Sequence, residues 1–119
     1  MSVAKKRKLS GSVDGKAIKI TTTATPGDTI HAAVGGQIAG TFDEIWLWAY
    51  NGHTADIILT IEFGGASVPD QNIIVTIPCK SGLIPVVPGL ILQNGMAVKA
   101  FASVANTITL VGFVNAITD

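Results

Sequence analysis

Apolar and polar residues alternate with a period of two along much of the chain. Between residues 55 and 63, Ile57, Leu59 and Ile61 fall on one face of an extended segment, and Thr60 and Glu62 fall on the other. Such alternation is typical of a β-strand with one buried face. Similar segments recur between turn signals, and no apolar stripe of helical period is long enough to predict a helix. The pattern predicts an all-β chain of about eight strands, folded as an antiparallel, jelly-roll-like β-sandwich.

The strand predicted at residues 43–50 is apolar on both faces. Ile45, Leu47 and Ala49 lie on one face and alternate with three aromatic residues on the other. These aromatic residues are Trp46, Trp48 and Tyr50. Because a strand without a polar face has no side suited to water, we expect this strand to be covered on both sides.

A turn signal follows this strand directly. Asn51 and Gly52 stand between the strands predicted at residues 43–50 and 55–63. Asn-Gly between two alternating segments is the strongest short-range signal for a β-hairpin. The sequence therefore predicts that these two strands pair with each other as a hairpin.

The C-terminal part of the chain is nearly free of charge. Lys80 and Lys99 are the only charged residues between Gln71 and Thr118. Over the whole chain, charged residues make up 13%, and the formal net charge is zero. Sparse charge removes the usual barrier to surface contact. We therefore expect a subunit of a homo-oligomer.

Half of the cations stand in the first eight residues, as Lys5, Lys6, Arg7 and Lys8. Removing these four from the eight cations leaves four against eight acidic residues. This layout predicts a flexible basic arm over residues 1–12 and one β-sandwich domain over residues 13–119. The arm is either a solvated tail or a partner-binding segment. The body has no cationic stripe to follow phosphates, so nucleic acid is not an expected partner.

The chain shows no recognisable catalytic constellation. His31 and His53 are the only histidines, and an enzyme would need both to converge with Asp56. No group of residues has the spacing of metal ligands, so we predict no catalytic residue, metal, cofactor or small-molecule substrate. Cys79 is alone, which is compatible with a reducing cytoplasm, and a lone cysteine is usually a small buried apolar residue. No apolar segment is long enough to cross a bilayer, and no membrane association is expected.

Trp46, Trp48 and Tyr50 have two readings. They can form part of the core or of a subunit interface, where tryptophan and tyrosine are enriched. They can instead form a platform on which sugar rings stack, as in a carbohydrate-binding or host-attachment module. Few acidic or amide residues stand beside them in sequence to bond sugar hydroxyls, which favours core or interface.

The segment Ile77-Pro78-Cys79-Lys80-Ser81-Gly82-Leu83-Ile84-Pro85-Val86-Val87-Pro88-Gly89-Leu90 runs on through Met96–Ser103 to Gly112–Asn115. This C-terminal half resembles small structural proteins of tailed-bacteriophage virions, above all the β-sandwich decoration or cement proteins of the capsid. The resemblance implies a non-enzymatic, commonly trimeric subunit that contacts the major capsid protein or another virion protein. It also implies synthesis in the cytoplasm of a host bacterium and a final place on the capsid surface.

Overall fold

The computed structural model describes residues 2–119, and these form nine β-strands and no helix. The strands are β1 (Val3–Lys8), β2 (Ile18–Lys19), β3 (Asp28–Ala32), β4 (Phe42–Asn51), β5 (Ile57–Phe63), β6 (Asn72–Ile77), β7 (Ile84–Leu92), β8 (Ala97–Ala102) and β9 (Ile108–Thr118). The folded chain extends over 48 × 28 × 20 Å along its principal axes.

The strands make two antiparallel sheets that pack face to face. Sheet A has the order β1-β9-β4-β7, with β2 also paired to β9, and sheet B has the order β3-β8-β5-β6. Strand β9 lies at the centre of sheet A because it pairs with β4 along its whole length and with β1 and β2 on its other side. The prediction of an all-β antiparallel sandwich is confirmed.

The pairing order is symmetric about the loop between β5 and β6. Strand β5 pairs with β6, β4 with β7, β3 with β8 and β2 with β9. The chain thus behaves as one long antiparallel hairpin that has been folded over to give two layers. Two lateral pairings, β4 with β9 and β5 with β8, join the layers' inner strands into complete sheets.

The core lies between the sheets and is built from the inward positions of alternating strands. Ile45, Leu47 and Ala49 of β4 face Ile57, Leu59 and Ile61 of β5 in one cluster of buried residues. The even positions of β4 point away from this cluster, because successive strand residues point to opposite faces. The alternation noted in the sequence therefore assigns the correct inward residues in both strands.

The predicted hairpin between β4 and β5 is wrong, because the two strands belong to different sheets. Asn51 is fully buried, and its amide Nδ2 donates hydrogen bonds to the carbonyl oxygens of Ala55 and Ile77 at 2.9 Å each. Its Oδ1 accepts from the backbone N–H of His53 at 2.8 Å, and the Gly52 N–H donates to Thr107. The bonds to Ile77 and Thr107 reach distant segments, and together with the two local bonds they turn the chain from one sheet into the other. A two-residue hairpin would have kept the chain in the same sheet.

The structure also differs from the predicted arm over residues 1–12. Residues Val3–Lys8 form an edge strand on β9, with every side chain exposed, and Met1 lies outside the described residues. Leu9 and Ser12 are buried, and the Gly11 N–H donates to the carbonyl of Ile30 in β3. Backbone pairing holds the basic segment in place, and the apolar anchor that ties it to the body comes at Leu9, inside the predicted arm.

Candidate functional site

The outer face of sheet A carries a cluster of three aromatic rings, which we call the aromatic face: Trp46, Trp48 and Phe113. The ring centroids lie 6.4 Å apart for the two tryptophans, 6.3 Å for Trp46 and Phe113, and 6.0 Å for Trp48 and Phe113. The planes are inclined to one another by only 17–30°. The three rings therefore pack against one another in nearly parallel planes on the outer face of sheet A.

Register places these rings together. In the β4–β9 ladder, Trp46 stands opposite Phe113 and Trp48 opposite Val111. Both tryptophans are half-buried, and Tyr50, next on the same face, is 36% exposed. The prediction that Trp46, Trp48 and Tyr50 share a face therefore holds, but they lie outside the sandwich core. No layer of residues 2–119 covers this face, so the covering that we expected on both sides of β4 comes from this chain on one side only.

A glycine in the neighbouring strand makes room for Trp46. Gly89 of β7 has φ +76°, and a Cβ built there would lie 2.7 Å from the Trp46 ring. Any side chain at position 89 would push the indole away from its place beside Trp48. Gly89 thus allows the Trp46 ring to pack against β7.

Polar groups surround the aromatic face. Glu44, two residues before Trp46 on the same face of β4, accepts hydrogen bonds at Oε1 from Trp46 Nε1 at 2.8 Å and Asn115 Nδ2 at 3.0 Å. These two hydrogen bonds hold the pKa of the Glu44 carboxyl below its ordinary value, and the bond from Asn115 has the larger effect. Lys6 of β1 places its ammonium 4.4 Å from the centre of the Phe113 ring, within cation–π distance.

Sequence reasoning missed these polar neighbours. Glu44 could have been found from the same alternation that grouped Trp46, Trp48 and Tyr50, because all four occupy even positions of one strand. Asn115 and Phe113 could not, since they reach this face only through the β4–β9 register. The structure places one acidic residue, Glu44, and one amide residue, Asn115, beside Trp46.

The outer face of sheet B carries a second apolar area, which we call the sheet B patch: Ile58, Ile74 and Phe101. Thr60 stands opposite Ile74 on one side and Phe101 on the other, and these neighbours leave its side chain only 7% exposed. Ile74 itself is 63% exposed and Ile58 is 49% exposed. Large apolar side chains that lie together in solvent mark a contact surface more strongly than scattered ones do.

A cleft of about 370 Å³ opens between the edges of the two sheets and contains a histidine–carboxylate pair. His31 Nε2 lies 2.7 Å from Asp43 Oδ2, and both side chains are buried. The Ser10 backbone N–H donates to His31 Nδ1 at 3.0 Å, which places the ring proton on Nε2, where it is donated to Asp43. With both ring nitrogens engaged, the imidazole has no lone pair to offer a substrate, and the pair acts as a clamp between β3, β4 and the segment after β1.

The other candidates for chemistry do not join His31. The Asp56 carboxylate accepts a hydrogen bond from the Cys79 N–H at 3.2 Å, and the His53 N–H is bonded to Asn51. Cys79 is exposed, so the expectation of a buried cysteine is wrong. It lies in the turn that follows β6, where Pro78 has already ended the strand. Among residues 2–119, no group of three or more His, Cys, Asp and Glu side chains could hold a metal ion.

Within the described residues, no helix is long and apolar enough to span a membrane. The chain matches no protein-family model, no curated protein and no solved structure. Any functional conclusion therefore depends on the surfaces described above.

Proposed function

We propose that this protein is a non-enzymatic structural subunit of a bacteriophage virion, which decorates or cements the capsid as a homotrimer. The observation that carries the proposal is the sheet B patch on a charge-poor surface. In a soluble monomer, charged side chains would be expected to interrupt such an apolar patch. Covering the patch with another copy or with the major capsid protein removes its apolar side chains from water.

The strand order supports a jelly roll, the finer fold that we propose for the sandwich. A jelly roll is a two-sheet sandwich of eight strands in two Greek keys. Strands β2 to β9 pair first with last, second with second-last, and so on to the β5–β6 tip. Viral capsid domains are among the proteins built in this way, which agrees with the resemblance of the C-terminal half.

The basic strand supplies a second surface for the same role. Lys6 and Lys8 stand opposite Asn115 and Phe113, whereas Lys5 and Arg7 stand opposite Ala116 and Val114. The four cations are therefore shared between both faces of an exposed edge strand. We propose that this strand contacts acidic positions on the shell, in a manner weakened by salt.

Light scattering coupled to size-exclusion chromatography tests the assembly. We expect the mass of three 12.3 kDa chains, with each subunit burying at least about 800 Å². Ile74→Lys, in the sheet B patch, should reduce the mass towards that of one chain. Val68→Lys is the matched control because Val68 is 73% exposed in the loop between β5 and β6, outside the patch.

Co-sedimentation with capsids of the phage that encodes the chain tests the location. The wild-type protein and Val68→Lys should sediment with the capsids, and Ile74→Lys should sediment less. A monomeric wild-type protein at micromolar concentration that stays in the supernatant would contradict the proposal.

A further inference from the structure

We propose that the outer face of sheet A is a carbohydrate-binding site, separate from the sheet B patch. A pyranose ring would stack on Trp46 and Trp48, next to the Phe113 ring that Lys6 contacts, and its hydroxyl groups would donate to the carboxylate of Glu44. This role goes beyond the proposed place in a capsid and does not depend on it.

The two tryptophans suit a flat, weakly amphipathic ligand. Both are only half-buried on the outer face of sheet A, and their near-parallel rings have centroids 6.4 Å apart. The C–H faces of a sugar ring are apolar, and its rim carries hydroxyl groups. A site for such a ligand needs an apolar floor with a few well-placed polar groups at its border.

Glu44, beside the aromatic face, has one carboxylate oxygen available to a ligand. Both of its hydrogen bonds within the chain end on Oε1, which leaves Oε2 to accept from a ligand. Like any solvent-accessible glutamate, Glu44 is ionised at neutral pH, and hydrogen bonds to an ionised acceptor are the stronger kind. Asn115 and the Lys6 ammonium add an amide and a donor on the neighbouring strands.

The charges at the border also argue against another copy of the chain as the occupant. The core of a protein interface is depleted in charged residues, and a dry contact would remove water from the Glu44 carboxylate and the Lys6 ammonium together. Desolvating such groups is costly unless they are fully paired. A sugar replaces the displaced water with hydroxyl groups, which satisfy both charges.

Tryptophan emission gives a direct assay. The chain has two tryptophans, and both lie in the aromatic face, so the whole signal reports on the site. We would screen the labelled protein on a printed array of bacterial, fungal, plant and animal glycans. Titrations of the unlabelled protein with cellohexaose, chitohexaose and the strongest array ligand would then give dissociation constants.

Three variants separate this site from the assembly surface. Glu44→Gln keeps a carbonyl oxygen for Trp46 and Asn115 but removes the charge, and it should weaken binding at least about tenfold. Trp48→Ala should abolish stacking, and a urea unfolding curve shows whether that variant is folded. Ile74→Lys should leave sugar binding unchanged even if it breaks the trimer.

A saturable change in emission that Glu44→Gln weakens and Ile74→Lys spares would support the site. Absence of any array signal above that of Glu44→Gln would overturn it. Equal binding by wild type, Glu44→Gln and folded Trp48→Ala would overturn it as well. Protection of the tryptophans from iodide only at concentrations where the chain self-associates would show that a second copy covers this face, and would also overturn the proposal.

Discussion

Replacing Asn51 should destabilise the protein more than any other single amide substitution that we consider. This side chain is fully buried and serves three backbone groups where the chain passes from sheet A to sheet B. In Asn51→Ala, the carbonyls of Ala55 and Ile77 and the N–H of His53 all lose their partner. The site therefore connects a local side-chain contact to the relative placement of the two sheets.

The expected cost follows from the burial of each group. The bonds to Ala55 and His53 are partly exposed, and each loss should cost about 1 kcal/mol. The Ile77 carbonyl is buried, so its loss should cost about 1–3 kcal/mol, which is the penalty for an unsatisfied group. The free energy of unfolding should fall by about 3–5 kcal/mol in total, a large part of the roughly 5–15 kcal/mol available to a domain.

Asn51→Asp sharpens the test because it has nearly the same shape. The introduced carboxylate still accepts from His53, but it cannot donate to the two carbonyls while ionised. Burial and the facing carbonyl oxygens raise its pKa in the folded state above the unfolded value. Its folded state therefore binds more protons than the unfolded state, and its stability should rise as pH falls from 7 through the raised pKa.

Urea unfolding followed by tryptophan emission at one fixed protein concentration measures these effects. Gln37→Ala, an exposed amide in a loop, is the control and should change the free energy by less than about 0.5 kcal/mol. At pH 7, Asn51→Asp should be less stable than Asn51→Ala, and the difference should narrow at pH 5. The account of the turn between β4 and β5 would be refuted if Asn51→Ala had the free energy of unfolding of the wild type. It would also be refuted if the difference in free energy between the two variants did not change with pH.

Three further expectations concern other parts of the fold. Deleting residues 1–8 should lower the free energy of unfolding by less than about 1 kcal/mol, because the side chains of Val3–Lys8 are exposed. Leu9→Ala should lower it by about 2–5 kcal/mol, so a larger loss from the deletion than from Leu9→Ala would contradict the expectation. Gly112→Ala should prevent native folding or lower the free energy of unfolding by several kcal/mol, since its Cβ would collide with a carbonyl oxygen of β4. Gly35→Ala is the control because its Cβ would lie in open space, and circular dichroism and urea unfolding compare the two variants. Cys79 should react with Ellman's reagent in the native state at one thiol per chain, and protection until urea is added would contradict its exposure.

Local periodicity predicted what lies within single strands. The alternation in residues 43–50 and 55–63 separates inward from outward side chains, because in a strand the two faces follow directly from position. It also groups Trp46, Trp48 and Tyr50, and read two residues further back it reaches Glu44. What it cannot supply is the partner strand, since Phe113 and Asn115 are distant in sequence and meet β4 only through register.

The errors have the same origin. Asn51-Gly52 has the composition of a hairpin turn, but the Asn51 amide finds partners in the Ala55 loop and at Ile77, and the chain changes sheets. The basic residues 5–8 have the composition of a free arm, but their backbone completes the edge of β9. Composition describes single side chains, whereas hydrogen bonds to distant segments decide the structure here: those of the Asn51 side chain in the first case and those of the backbone of Val3–Lys8 in the second.

The central position of β9 in sheet A has a consequence for synthesis of the chain. Until residues 108–118 leave the ribosome, β4 has no neighbour on that side and β1 and β2 have no strand to join. The nascent chain then carries an open strand edge with Trp46 and Trp48 on one face and Ile45 and Leu47 on the other. Unpaired edges and exposed apolar surface make such intermediates prone to aggregation, and pairing between distant segments is slow. Chaperone binding to the nascent chain should therefore end only when β9 has been translated.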